Sequence, residues 1–325
     1  MRRLSFAFSM ILAAISSNPS NALAQDYPNR PIKLVVPFAP GGAVDVLARI
    51  IGAKLAERFG QPVVIENRAG AGGNIAADSV AKSPPDGYTM LQNTNGQAIT
   101  PALYRNLPFD PINDFVPVTQ LVASNLIVVA SPKLPVKTLA EFIALAKAKP
   151  GSLNYGSSGI GNPLHLTMEM LKHAAGLDIV AVAYRGGDAQ INVALMAGEV
   201  QAAVVPLATA VQLVQDGRLT ALGVTGAKRA AVLPNVPTIA EAGVPGFAST
   251  SWQGFFAPAK TPAAIVERIQ RETATVLKLP DVQSSLQAMA YEPVGSTPAE
   301  FAAFVNAETA KFARVAKDAH IPMQD

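Results

Sequence analysis

The feature that most constrains this chain is an alternation, begun near residue 31, of short apolar runs with stretches of helical period. Ile32–Val36 is a run of strand type, Pro37-Phe38-Ala39-Pro40-Gly41-Gly42 breaks it, and Val44, Leu47, Ala48, Ile51 and Leu55 then recur at helical spacing. A strand at 62–66, a loop at 67–74, a short helix through Val80, the turn Pro84-Pro85-Asp86-Gly87 and a strand at 88–91 follow. Strands alternating with helices imply parallel pairing in a doubly wound sheet.

The pattern restarts after residue 124. Strands are expected at 126–130, 153–155, 179–184, 202–205 and 219–224. Helices are expected from the capping box Thr138-x-x-Glu141 to about 149, after Asn162, after Asp188 and from Ala208. The Pro- and Gly-rich segment 227–251 reads as a connection with a short helix at 238–242. A strand at 253–257 leads into helices at 262–279, 281–290 and 298–319. One strand and three helices build no core easily, so they are expected to return to the first sheet. The result is two α/β lobes, 25–123 plus 253–325 and 124–252. The chain crosses between them near Ser124 and Trp252, and the strand-to-helix turns of both face one cleft.

Composition removes whole classes of function. A chain that is 50% hydrophobic and 15% charged is not disordered. Its 26 Lys and Arg against 23 Asp and Glu are scattered, leaving no basic stripe for nucleic acid. The absence of cysteine excludes disulfides, thiolate metal sites, a cysteine nucleophile and a lipid anchor on an N-terminal cysteine. Residues 1–24 carry Arg2 and Arg3 ahead of the apolar run 4–15 and end in Ala22-Leu23-Ala24, the plan of a secretory signal cleaved before Gln25. That run is too short to span a bilayer. An exported soluble monomer is expected, periplasmic in an organism with two membranes.

Two turns have the most unusual composition, 37–45 and 156–165. Each ends a strand and opens a helix, where free backbone N–H groups and the positive helix end attract anions. Gly41 and Gly42 in one, and Gly156, Gly159 and Gly161 in the other, permit close backbone approach, while Ser157, Ser158 and Asn162 add side-chain donors. Enzyme signatures fail. Gly156-Ser157-Ser158-Gly159-Ile160 is no nucleophile elbow, no phosphate-binding loop occurs, and Gly70-Ala71-Gly72-Gly73-Asn74-Ile75 lacks the third glycine of the dinucleotide fingerprint, so no nucleotide cofactor is supported. His165, Glu169 and His173 at i, i+4 and i+8 span too far for one metal ion and read as a solvated helix edge. Glu66, Asn67 and Arg68 read as a strand end with an ion pair. Trp252, Phe255 and Phe256 read as core or hinge.

Longer motifs carry a resemblance. Tyr27-Pro28-x-Arg30-Pro31-Ile32, Pro37-Phe38-x-Pro40-Gly41-Gly42-x-x-Asp45, Glu66-Asn67-Arg68-x-Gly70-Ala71-Gly72-Gly73, Pro85-Asp86-Gly87-Tyr88-Thr89, Asn154-Tyr155-Gly156-Ser157, His165-Leu166 and Leu233-Pro234-Asn235-Val236-Pro237-Thr238 resemble the periplasmic solute receptors of tripartite tricarboxylate transporters, the Bug family. The resemblance spans nearly the whole mature chain in the expected order. It implies a two-lobe, Venus-flytrap binding protein of the type II plan that closes on a small carboxylate and delivers it to inner-membrane permease subunits. It also implies that the carboxylate is held by Phe38 through Asp45, Ala39 included, and by Ser157 through Asn162, with Gln97 and His165 as further candidates. Neither turn contains Lys or Arg, so fixed dipoles and donors must do the binding. One departure stands at Gly186-Gly187-Asp188, where the acid sits ahead of the family's usual Asp position, Val193 here. Asp188 is either a helix N-cap or a cleft residue favouring ligands with a donor end. Two other readings remain open: a ligand-sensing subunit for a membrane signalling protein, and a secreted hydrolase with Ser157 or Ser158 as nucleophile and His165 as base.

Overall fold

A computed structural model describes residues 27–157, 159, 161–184 and 187–324, the side chains of 187 and 188 excepted. The expected signal segment, Ser158 and the residues just before Asp188 lie outside the described residues.

Lobe 1 opens with β1 (Ile32–Val36), α1 (Ala43–Phe59), β2 (Val63–Asn67), α2 (Asn74–Ala81), β3 (Thr89–Thr94) and α3 (Gly96–Leu103). The strand β4 (Phe115–Ala130) then runs 16 residues into lobe 2, which holds α4 (Leu139–Ala148), β5 (Asn154–Ser157), α5 (Pro163–Ala175), β6 (Val180–Ala183), α6 (Gly187–Ala197), β7 (Ala202–Pro206), α7 (Leu207–Gln215) and β8 (Thr220–Val224). The return is β9 (Thr250–Pro258), followed by α8 (Ala263–Val276), α9 (Pro280–Ala288), β10 (Glu292–Pro293) and α10 (Pro298–Asp318).

The alternating segments pair as expected: β2, β1 and β3 are parallel, as are β7, β5 and β6. The two sets are not separate sheets, however. The strand order β2-β1-β3-β9-β4-β7-β5-β6 is one hydrogen-bonded path, joined by the antiparallel strands β9 and β4. β4 pairs with β9 from Phe115 to Asn125, then with β7 and β8 from Leu126 or Ile127 to Ala130. Polar side chains pin this crossing. Thr225 Oγ1 accepts from Leu126 N at 3.1 Å, Asn125 Oδ1 accepts from Gly226 N at 2.8 Å, and Asn95 bonds Trp252 N and Thr250 O at 3.0 Å each.

Helices cover both faces of each half, and burial divides accordingly. α1, α8 and α9 pack on one face of lobe 1 and α2, α3 and α10 on the other, while α4 and α5, and α6 and α7, do the same in lobe 2. Leu47, Ile51 and Leu55 of α1 are fully buried at i, i+4 and i+8, each worth about 1.5–3 kcal/mol. α10 begins in a complete capping box, Thr297 with Glu300. The segment 238–242 is not a helix. Thr238 and Glu241 make the reciprocal bonds of a cap, but they close a single turn, because Gly243 at φ +113 and Pro245 end it at once.

Candidate ligand cleft

The first turn is held open by its own side chains. Gly41 at φ +84 and Gly42 in extended conformation bring the chain into α1 with no side-chain cap, so the first-turn N–H groups have no side-chain acceptor. Asp45, one turn in, is 1% exposed and spends its carboxylate on the turn itself. Oδ2 accepts from Gly41 N at 2.8 Å and Arg49 Nε at 2.9 Å, and Oδ1 accepts from Arg49 Nη2 and Asn67 Nδ2, both at 2.9 Å. Asn67 also donates to Phe38 O at 3.0 Å. The Arg49 guanidinium above all, with Gly41 and Asn67, pulls the Asp45 pKa down to about 2. Asp45 is therefore an anion that shapes the turn rather than one that repels a ligand. Phe38 and Ala39 stay exposed at the rim.

The second turn is closed in the same way. Ser157 Oγ accepts from Gly159 N at 3.3 Å and donates to Gly159 O at 3.1 Å. Asn162 caps α5 by accepting from His165 N at 2.9 Å, and Pro163 takes the first helical position. His165 is not on a solvated edge: it is 6% exposed, and its Nδ1 accepts from Gly161 N at 3.2 Å. His173, two turns on, does lie at the surface beside Asp318. Gln97 is buried, its Oε1 accepting from Asn93 and its Nε2 donating to Pro111 O, so its amide is spent inside lobe 1 rather than offered to the cleft. α6 begins at Gly187, which places Asp188 within the first turn and not at the cap. The Glu66–Arg68 and Glu66–Lys33 pairs are structural, as expected.

Two cavities open between the turns, sharing Asn162 and Pro163. One, ≈ 230 Å³, is lined by Phe38, Gly96, Leu103 and Gly161; the other, ≈ 490 Å³, by Ala43, Leu164, Leu207, Thr209 and Tyr291. Neither has an Asp, Glu, Lys, Arg or His among its described lining residues. An anion here meets helix N-termini, α1, α5 and α7 for the larger cavity and α3 and α5 for the smaller. The sequence did not single out the α7 terminus or Tyr291, although Pro206 just ahead of a helical run was a usable signal for the first.

The family model described as "Tripartite tricarboxylate transporter family receptor" matches residues 47–321. The chain belongs to this family. Protein BugT of Bordetella pertussis is 34% identical over 91% of the chain and 91% of its own length. Among solved structures, R. palustris Rpa4515 with adipate is 40% identical, covering 92% of this chain and all of its own, at a TM-score of 0.78. MatC of Rhodopseudomonas palustris with bound malate is 33% identical, covering 89% and 99%, at 0.73. The two-lobe reading of the sequence is thus the fold of this receptor family.

His165 should make the second turn sensitive to acid. The Gly161 bond needs a bare Nδ1, and burial lowers the pKa of the ring, with Glu169 opposing. The unfolded chain therefore takes up this proton first, so the stabilisation is complete above the ordinary pKa of about 6.5 and is lost as pH falls through the folded value. Ligand affinity measured by calorimetry from pH 8 to 5 should be flat at first and then decline, and His165→Gln should flatten the decline. An unchanged slope in that variant would assign the effect to another group.

Proposed function

We propose that the chain is the periplasmic receptor that captures a small organic carboxylate between its lobes and hands it to tripartite tricarboxylate-type permease subunits in the inner membrane. Residues 1–24 serve as the export signal, and the lobes comprise 25–123 with 253–325, and 124–252. The observation that carries this reading is the meeting of two cation-free helix-opening turns on one uncharged cleft, with Phe38 and Gly161 lining the same cavity. The adipate and malate in related structures support a carboxylate ligand. The hydrolase reading loses support at Ser157, which donates to Gly159 O while His165 Nδ1 accepts the Gly161 N–H; Ser158, its other nucleophile, lies outside the described residues.

A thermal-shift panel of dicarboxylates, aromatic acids and amino acids tests the reading, because a ligand at 100 times its Kd raises stability by about 2.7 kcal/mol. Gly42→Ala sharpens the test. Gly42 has an ordinary φ, and a Cβ there would meet only Ala39 O at 3.6 Å, so the empty protein should lose no more than the modest cost of Ala at an N-cap, within about 1 kcal/mol. The methyl stands at the uncapped α1 terminus, where it should weaken binding about tenfold, 1.4 kcal/mol. Unaltered affinity would remove this turn from the site. Co-purification with permease subunits from membranes separates transport from signalling.

A further inference from the structure

The larger cavity holds one polar group whose direction is fixed from behind. Tyr291, in the link between α9 and β10, lines it with Ala43 at the α1 terminus and with Ser124 and Ser251 on the crossing strands. The Tyr291 hydroxyl oxygen accepts from Gln253 Nε2 at 2.7 Å. Gln253 Oε1 accepts from Gln92 Nε2 at 2.8 Å, and that same nitrogen donates to Val44 O at 3.0 Å. Gln92 and Gln253 are both buried.

Donor direction propagates along this relay. A backbone carbonyl only accepts, so the Gln92 amide must turn its NH2 to Val44, which leaves its second N–H for Gln253 Oε1. Gln253 then has only its NH2 to offer Tyr291. The phenol oxygen is thereby an acceptor inside the relay, and its hydrogen has to point elsewhere. The described residues give that hydrogen no acceptor. Burial raises the Tyr291 pKa, so the group stays O–H at neutral pH. The relay also leaves Gln92 Oε1 buried without a partner, a destabilising feature that packing alone gives no reason to keep.

We propose that Tyr291 is a specificity-determining donor of the cleft, selecting acids that carry a hydrogen-bond acceptor at the end remote from the α1 turn. The inference rests on the carboxylate-receptor reading above and narrows it. The apolar walls Leu126, Leu164, Leu207 and Met289 suit a hydrocarbon middle, and an O–H with no acceptor among the described residues suits a second carboxylate or a carbonyl and not an alkyl or ammonium end. The class is therefore acids with an acceptor at the far end, α,ω-dicarboxylates and oxo acids.

Calorimetry with adipate and hexanoate tests this, because the two share a carbon count and differ only in the far carboxylate. Tyr291→Phe should weaken adipate binding about tenfold and change hexanoate less than about twofold. Gln253→Met keeps the phenol but removes the donor that orients it, and should lower the adipate-to-hexanoate ratio about threefold; it decides alone if Tyr291→Phe does not fold by circular dichroism. Equal losses for both acids, or an unchanged ratio in a wild type that binds adipate, overturn the role of Tyr291 only. A wild type that binds neither acid overturns the substrate class inferred here, while the carboxylate reading stands or falls on the thermal-shift panel above.

Discussion

Gly161→Val should leave both lobes folded and cut ligand affinity at least about a hundredfold, roughly 2.7 kcal/mol. Two separate effects act, backbone strain on the stability of the second turn and a steric wedge on the approach of the lobes, and the affinity loss comes from the second. Gly161 sits at φ +81, where a β-branched residue carries backbone strain of about 1–3 kcal/mol. Its Cβ would also stand 2.5 Å from Leu103 Cδ1, and Leu103 belongs to α3 of the opposite lobe. The side chain therefore wedges the second turn away from lobe 1 at the point where both line one cavity. Leu103→Ala in the same chain should recover the steric share and not the backbone share, which a double-mutant cycle reads directly. Small-angle scattering at saturating ligand, whichever acid the thermal-shift panel identifies, should show the single variant more extended than wild type. If affinity is retained, the bound form does not bring these lobes together here.

Asp45→Ala should cost the empty protein about 2–3 kcal/mol at pH 7, below the range of about 3–5 kcal/mol for breaking a fully buried pair because Arg49 is half exposed. It strands the Gly41 N–H and the Arg49 guanidinium together and releases the first turn, so binding should fall with stability. The loss has a pH signature. Asp45 has a folded pKa of about 2, below the ordinary carboxylate value of about 3.9, so its contribution is complete above the latter and lost as pH falls through 2. The difference in unfolding free energy between variant and wild type should therefore shrink between pH 4 and pH 2. A gap constant across that window would mean that the carboxylate charge does not hold the turn. Asp45→Asn, which keeps the shape and removes the charge, should fall between the two.

The strand–turn–helix order was legible because apolar period and Gly-Pro punctuation are local signals, and the two Gly-rich helix-opening turns were legible for the same reason. Half of β4 was not. Pro117 interrupts its apolar run and sits at a register shift against β9, so the segment lacks the uninterrupted alternation of a strand. α3 was hidden by Thr100 and Pro101, residues of low helical preference that packing against α10 overrides. At the site, sequence marked Asp45 and Gln97 as ligand-binding candidates but not where their atoms are spent: Arg49 is one helical turn from Asp45, whereas Asn67, Asn93 and Pro111 meet these side chains only in the fold. Tyr291 reaches the cavity from a segment far along the chain, a proximity that no local pattern encodes.

The position of β9 also sets an order of events for a chain delivered N-terminus first, from a ribosome or through a membrane. β3 pairs with β9 from Leu91↔Phe256 to Thr94↔Gln253, and α3 packs against α10, whose last residue is Asp318. The first hundred residues therefore emerge with an open sheet edge and a bare apolar face until nearly the whole polypeptide has followed. Lobe 2, being contiguous, has its own core complete earlier. The N-terminal third of the receptor should thus be the part last to become protease-resistant, and during that interval the part most in need of a chaperone.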